Sequence, residues 1–225
     1  TIEGAQHVID AFDRGVGPIL ALPHVGGWEW AAKWLSTERG WSVSAVAEQL
    51  EPPELYEWFL DLRAGLGMNI VALGPSAGSE SAKALASGHI MCLLCDRDIA
   101  GTGIEVEFFG ERTTMPGGPA LLALRSDSPL LPTAVYFRGE RCHGVIGAPL
   151  DTERRGRLRD DVARVTQDLA YSLEALIRVA PEQWHLLQPN WPSDIAALAE
   201  GDPALAAATA STSNPSQNNG DGSSR

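Results

Sequence analysis

The chain has 225 residues, 44% of them apolar or aromatic and 20% charged, a balance that excludes disorder throughout and suits a globular domain with a core. Its net charge of -12 excludes a nucleic-acid binder, which needs Lys and Arg to neutralise phosphates. Three cysteines are too few for a disulfide framework and favour a reducing compartment, and no run of about 18 apolar residues offers a transmembrane helix.

Gly and Pro punctuate an alternation of helical and strand-like segments. The spacing predicts a helix over 5–14, a strand over 17–23, a helix over 28–39 and a strand over 42–47. A helix over 53–66, a strand over 69–73, a helix over 79–87 and a strand over 89–95 follow. Beyond them come a strand-like 105–109, a helix over 118–126, strands over 130–137 and 142–146, and a long helix over about 158–179. Near-continuous apolar strands alternating with helices are the pattern of βαβ units. The fold class is therefore α/β, one domain over 1–199 with a central, mostly parallel sheet flanked by helices on both faces. Residues 200–225 are rich in Ala, Ser, Thr, Asn and Gly and read as a disordered low-complexity tail. Starting at Thr1, the chain also reads as a fragment lacking an N-terminal, membrane-associating segment.

In an open parallel sheet ligands bind beyond the carboxyl ends of the strands. Those ends deliver Pro23-His24, Glu48, and Asp96-Arg97-Asp98. The segment His24-Val-Gly-Gly-Trp-Glu29 sets a histidine at a strand end and a glutamate in the first turn of the next helix. On one continuous helix the two would diverge by about 140°, but the glycine turn allows the Glu29 carboxylate to reach the imidazole. A carboxylate on one ring nitrogen fixes the tautomer and leaves the other as a general base. The competing reading is a helix-capping His and a surface Glu favoured by the helix dipole. A His base without a protein nucleophile suits direct attack by a substrate hydroxyl or by water, which makes a covalent intermediate the less favoured route. Cys92-x-x-Cys95 falls in a buried strand without a second Cys/His pair, so neither metal nor redox chemistry is expected there. His7, His89, His143 and His185 have no comparable carboxylate and read as structural.

The His-x4-Glu pattern resembles the His-x4-Asp/Glu motif of glycerolipid and lipid A acyltransferases. More closely, the sequence resembles the actinobacterial phosphatidylinositol mannoside acyltransferases, through Ala21-Leu-Pro-His24, Val46-Ala-Glu48, Leu55-Tyr-Glu-Trp-Phe59, Asp96-Arg97-Asp98, Gly103 to Glu111, Met115 to Ala120 and Trp184 to Trp191. The resemblance implies a glycerolipid acyltransferase-like fold and acyl-CoA-dependent transfer of a palmitoyl-like chain to a mannose hydroxyl of a phosphatidylinositol mannoside. His24 would be the base and Glu29 its orienting group. Glu48, Arg63, Asp96, Arg97 and Asp98 would line the substrate site: Arg63 suits a phosphate, and Glu48 and Asp96 suit sugar hydroxyls or the surroundings of His24. An internal ion-pair network is the competing reading for Glu48, Arg63 and Asp98. No cofactor is implied beyond acyl-CoA as co-substrate. The expected partners are acyl-CoA, the glycophospholipid and the inner membrane surface, with the protein peripheral on the cytoplasmic face of the cell membrane. The family turn reads His-Ser-Gly-Asn-Trp-Asp where this chain has His24-Val-Gly-Gly-Trp-Glu29, and Asp96 stands where the family has Glu. A related enzyme with another lipid acceptor, or a lipid-binding homologue without catalysis, fits the same residues.

Two features bear on a membrane. Arg154, Arg155, Arg157, Arg159 and Arg164 could attract anionic headgroups, or could pair with Glu153, Asp160 and Asp161 as a solvated face. Trp30 and Trp34, four apart, read as core packing or as the lining of an acyl groove.

Overall fold

The computed structural model describes residues 1–201. A short strand β1 (Ile2–Glu3) leads into α1 (Gln6–Asp13), β2 (Ile19–Leu22), α2 (Trp28–Thr37), β3 (Val43–Ala47), α3 (Pro53–Gly65), β4 (Met68–Ala72), α4 (Ala77–Ala86) and β5 (Ile90–Leu94). The hairpin β6 (Ile104–Phe108) and β7 (Glu111–Met115) precedes α5 (Gly118–Arg125), β8 (Leu130–Arg138), β9 (Arg141–Ile146), α6 (Leu158–Ile177) and α7 (Pro192–Gly201). The main sheet has seven strands in the order β1-β9-β8-β2-β5-β3-β4. Strands β8, β2, β5, β3 and β4 run parallel, while β9 runs antiparallel to β8 and carries β1 parallel to itself. The fold is α/β with a mostly parallel central sheet, as the alternation of segments predicts.

Successive side chains of a strand point to opposite faces, and both faces of this sheet are covered. Ile19, Ala21, Met91, Leu93, Leu130 and Ala134 pack on one side against Val165, Leu169 and Leu173 of α6. Leu20, Leu22, Ile90, Cys92, Leu131 and Val135 pack on the other against Val8 of α1 and Ala32 and Leu35 of α2. This double burial is why the central strands read as unbroken apolar runs; each buried Leu or Ile contributes about 1.5–3 kcal/mol. Cys92 and Cys95, three apart, fall into opposite cores. Both are free thiols; burial pushes Cys92 up to about 12 and raises Cys95 as well. They are neutral packing groups.

The pairing β2–β5 fixes the site. Ile19 opposes Met91 and Leu22 opposes Leu94. Continuing that register two residues past the strand ends brings position 24 opposite position 96.

The structure departs from the sequence reading in strands β1 and β7, in helix α7 and in the tryptophans of α2. The spacing predicts neither β1, β7 nor α7, and α7 runs through Glu200 and Gly201, over which a tail is expected. The rest of the expected tail lies outside the described residues. Trp30 and Trp34 are not core: they are 57% and 40% exposed, and α2 buries Trp28, Ala32 and Leu35 instead. The arginine cluster follows the paired reading at Asp161 and finds Asp151 and Asp168 as further partners. Arg154 donates to Asp161 at 2.8 Å, Arg155 pairs with Asp151, and Arg164 lies 3.6 Å from Asp168 and donates to the carbonyls of Asp151 and Glu153. Leu150 N–H donates to the Leu130 carbonyl at the start of β8, so this loop sits at the amino edge of the sheet, opposite His24. Among the described residues no helix is long and apolar enough to cross a membrane.

Candidate active site

After β2 the chain turns sharply. Gly26 has φ +59°, and its N–H donates to the Gln183 carbonyl. A Cβ at Gly26 would lie 2.0 Å from the Val135 carbonyl oxygen, so only glycine fits. The turn leaves His24 at the carboxyl edge of the sheet and starts α2 at Trp28.

The carboxylate on His24 is that of Asp96, from the end of β5. His24 Nδ1 lies 2.6 Å from Asp96 Oδ1, and the His24 backbone N–H donates to Asp96 Oδ2 at 2.8 Å. Asp96 is 0% exposed. Burial pushes its carboxyl up, but hydrogen bonds from His24, the charge of the imidazolium and the Trp184 indole together hold it below the usual carboxylate range. A charged Asp96 fixes the proton on Nδ1 and leaves Nε2 as acceptor.

This corrects the pairing expected from the motif. Glu29 does not brace His24; its Oε1 lies 3.4 Å from Arg63 of α3. The reason is geometric: Glu29 is already in the first turn of α2, whereas Asp96 stands in register beside His24 on the neighbouring strand. Of the two places open to Asp96, its contacts put it beside His24, and they give it the bracing role expected of Glu29. Arg63 and Glu48 each take part in an ion pair, Glu48 Oε2 accepting from Arg97 at 2.8 Å. Asp98 instead accepts from the backbone N–H of Gly101 and Gly103, at 3.1 and 2.7 Å, and from Thr114 at 2.9 Å. It shapes a loop.

His24, Glu48, Arg63, Arg97 and Asp98 all border one cavity of about 350 Å³. Its walls are apolar, from Val46, Leu93 and Leu94 of the sheet to Pro119 and Leu122 of α5. Asp96 is sealed behind His24, and Glu29 stays outside the lining. The Arg63 guanidinium lies 5.4 Å from the ring centres of both Trp28 and Phe59. The Nε–H groups of Arg63 and Arg97 are buried with no protein partner among the described residues. Two desolvated donors beside the cavity are suited to anionic oxygens. A second apolar cavity of about 370 Å³ lies on the α2 face of the sheet and is lined by Trp28, Trp30 and Trp34.

The sequence reading missed the strap that crosses the strand ends after α6. His185 N–H donates to the His24 carbonyl at 2.8 Å, the Trp184 indole N–H donates to Asp96 Oδ2 at 2.8 Å, and Asn190 Nδ2 lies 3.3 Å from the Asp96 carbonyl. Gln188 accepts from Arg97. The segment Trp184 to Trp191 carried part of the family resemblance, but nothing in its spacing points at Asp96, 88 residues away.

The model of the bacterial lipid A biosynthesis acyltransferase family matches residues 1–193. Phosphatidylinositol mannoside acyltransferase of Mycobacterium tuberculosis is 38% identical over 200 residues, covering 86% of this chain and 60% of that protein. The protein of the same name from Mycolicibacterium smegmatis is 37% identical over 196 residues, covering 84% of this chain and 62% of its own length. The chain thus spans about 60% of the length of the curated relatives it matches. With a family model covering nearly all of its described residues, the chain belongs to the bacterial lipid A biosynthesis acyltransferase family.

Proposed function

We propose that this chain carries the acyl-transfer chemistry of an enzyme that moves a long-chain, palmitoyl-like acyl group from acyl-CoA to a mannose hydroxyl of phosphatidylinositol mannoside. The observation that carries the reading is the His24–Asp96 pair, 2.6 Å apart, at the rim of an apolar cavity, in a chain whose relatives bear that name. His24 Nε2 takes the proton of the sugar hydroxyl as its oxygen attacks the thioester carbonyl. The carbon–sulfur bond then breaks, and the imidazolium returns the proton to the departing CoA sulfur. Asp96 stays ionised throughout and stabilises the imidazolium. No protein nucleophile takes part, and no covalent acyl-enzyme forms.

The other residues bind and position. Arg63 and Arg97 turn their free Nε–H groups to phosphate oxygens of the lipid headgroup or of CoA. Glu29 holds Arg63 in place, Glu48 holds Arg97 and meets sugar hydroxyls, and the apolar walls take the acyl chain. The protein works peripherally at the cytoplasmic face of the cell membrane. In support, Leu55, Trp58 and Leu62 lie at helical spacing on α3, all exposed, on the helix that carries Arg63 to the cavity.

The test offers radiolabelled palmitoyl-CoA with phosphatidylinositol mannoside, lysophospholipids and other glycolipids. Label in phosphatidylinositol mannoside is expected. Label in another acceptor alone would replace the acceptor, and label in none would leave a lipid-binding protein without catalysis.

A further inference from the structure

We propose that Trp184 is a positioning residue for the catalytic pair, its indole N–H locking the Asp96 carboxylate so that Oδ1 alone serves the His24 imidazole. The inference rests on the reading of His24 and Asp96 as the base and its partner.

Asp96 Oδ2 accepts two donors, the His24 backbone N–H and the Trp184 indole N–H, each at 2.8 Å. Among the described residues Oδ1 accepts only from His24 Nδ1. Two fixed donors on one oxygen define the rotation of the carboxylate about its Cβ–Cγ bond, and hence the line along which the other oxygen meets the imidazole. The indole is itself firmly seated. Its ring meets Phe109, Trp191 and Phe108 with centroids 5.5, 6.1 and 6.1 Å away. Trp184 also bridges to Val25, and the next residue's N–H donates to the His24 carbonyl. One strap therefore grips both members of the pair. The indole N–H carries no titratable proton in this range, so it supports the negative charge of Asp96 at every working pH. The titratable groups acting on Asp96 are His24 and the buried, neutral thiol of Cys95.

The variant Trp184→Phe keeps an aromatic ring and removes only the donor. Loss of one hydrogen bond to a charged group predicts a fall in kcat of about ten- to a hundredfold, with KM for both substrates near wild type. With less support for the carboxylate the pair holds its proton more tightly, so the acid limb of kcat/KM moves to higher pH. A residue that only packs would lower the melting temperature and leave the limb in place.

The 15N signals of the His24 imidazole give a readout that needs no turnover. Trp184→Phe is expected to shift the titration midpoint of the pair upward, read from the Nδ1 and Nε2 signals together. An unchanged midpoint would overturn the inference, even if the wild type acylated none of the lipids offered. Should Trp184→Phe fail to fold, the wild-type protein still decides: one indole N–H resonance, identified by its displacement in Asp96→Asn, must titrate with the pair. If no indole resonance follows that midpoint, Trp184 is packing alone.

Discussion

Replacing Asp96 by Asn separates the two carboxylates that could serve His24. In the native site Oδ2 accepts two N–H donors at 2.8 Å, so the single oxygen of an asparagine must occupy that position. Its NH2 group is then forced to the place of Oδ1, 2.6 Å from His24 Nδ1. Facing a donor, Nδ1 must become the acceptor and the ring proton moves to Nε2, where it blocks the base. An imidazole held in the wrong tautomer by this change costs about 10⁴ in kcat in the serine protease triad, equivalent to ~5.5 kcal/mol. A loss of about 10³- to 10⁴-fold is expected here. Glu29→Gln removes a partly exposed pair spanning 3.4 Å, so its loss should stay below about tenfold. Initial rates of label transfer from palmitoyl-CoA, with both variants checked for native circular dichroism, provide the comparison. Equal losses in the two variants, or a larger loss for Glu29→Gln, would refute the assignment of Asp96 as the partner of His24.

Two further changes test the scaffold. Gly26→Ala places a Cβ 2.0 Å from the Val135 carbonyl oxygen at φ +59°, and should lower the urea unfolding free energy by about 2–4 kcal/mol; a loss below about 0.5 kcal/mol would show that the turn relaxes freely. Asp161 accepts from Arg154 and from the backbone N–H of Arg155 and Gly156 at the start of α6, and the Arg154 bond above all holds its carboxyl below the usual range. A lowered folded value means that its stabilisation is complete above the unfolded value, about 3.9, and is lost as the pH falls through the folded one. The Asp161→Asn protein should accordingly melt lower at pH 7 than the wild type, with the gap closing on acidification below about pH 4. A gap independent of pH would contradict that account.

The strands were legible because most of them are buried on both faces, so Ile19 to Leu22 and Ile90 to Leu94 appear as apolar runs of strand length. Strand β7 was not, since Glu111-Arg-Thr-Thr-Met115 buries only Met115 and finds its role in pairing with β6. The tryptophans of α2 misled for a related reason: helical spacing identifies a face but not what covers it, and Trp30 faces solvent. In the site, the sequence named His24 and Asp96 as strand-end residues but joined His24 to the acidic residue nearest in the chain. The β2–β5 register was the missing fact, because it sets His24 beside a residue 72 positions away. Trp184 left still less trace, as it reaches Asp96 from an irregular strap whose course is set by the sheet edge beneath it.

The central claim is that His24 is the base for acyl transfer to phosphatidylinositol mannoside. Its most direct test incubates wild-type protein and His24→Ala with labelled palmitoyl-CoA and that lipid, and follows the label into the lipid. The account predicts steady incorporation by the wild type and none above background by a natively folded His24→Ala; near-wild-type incorporation by the variant would contradict it.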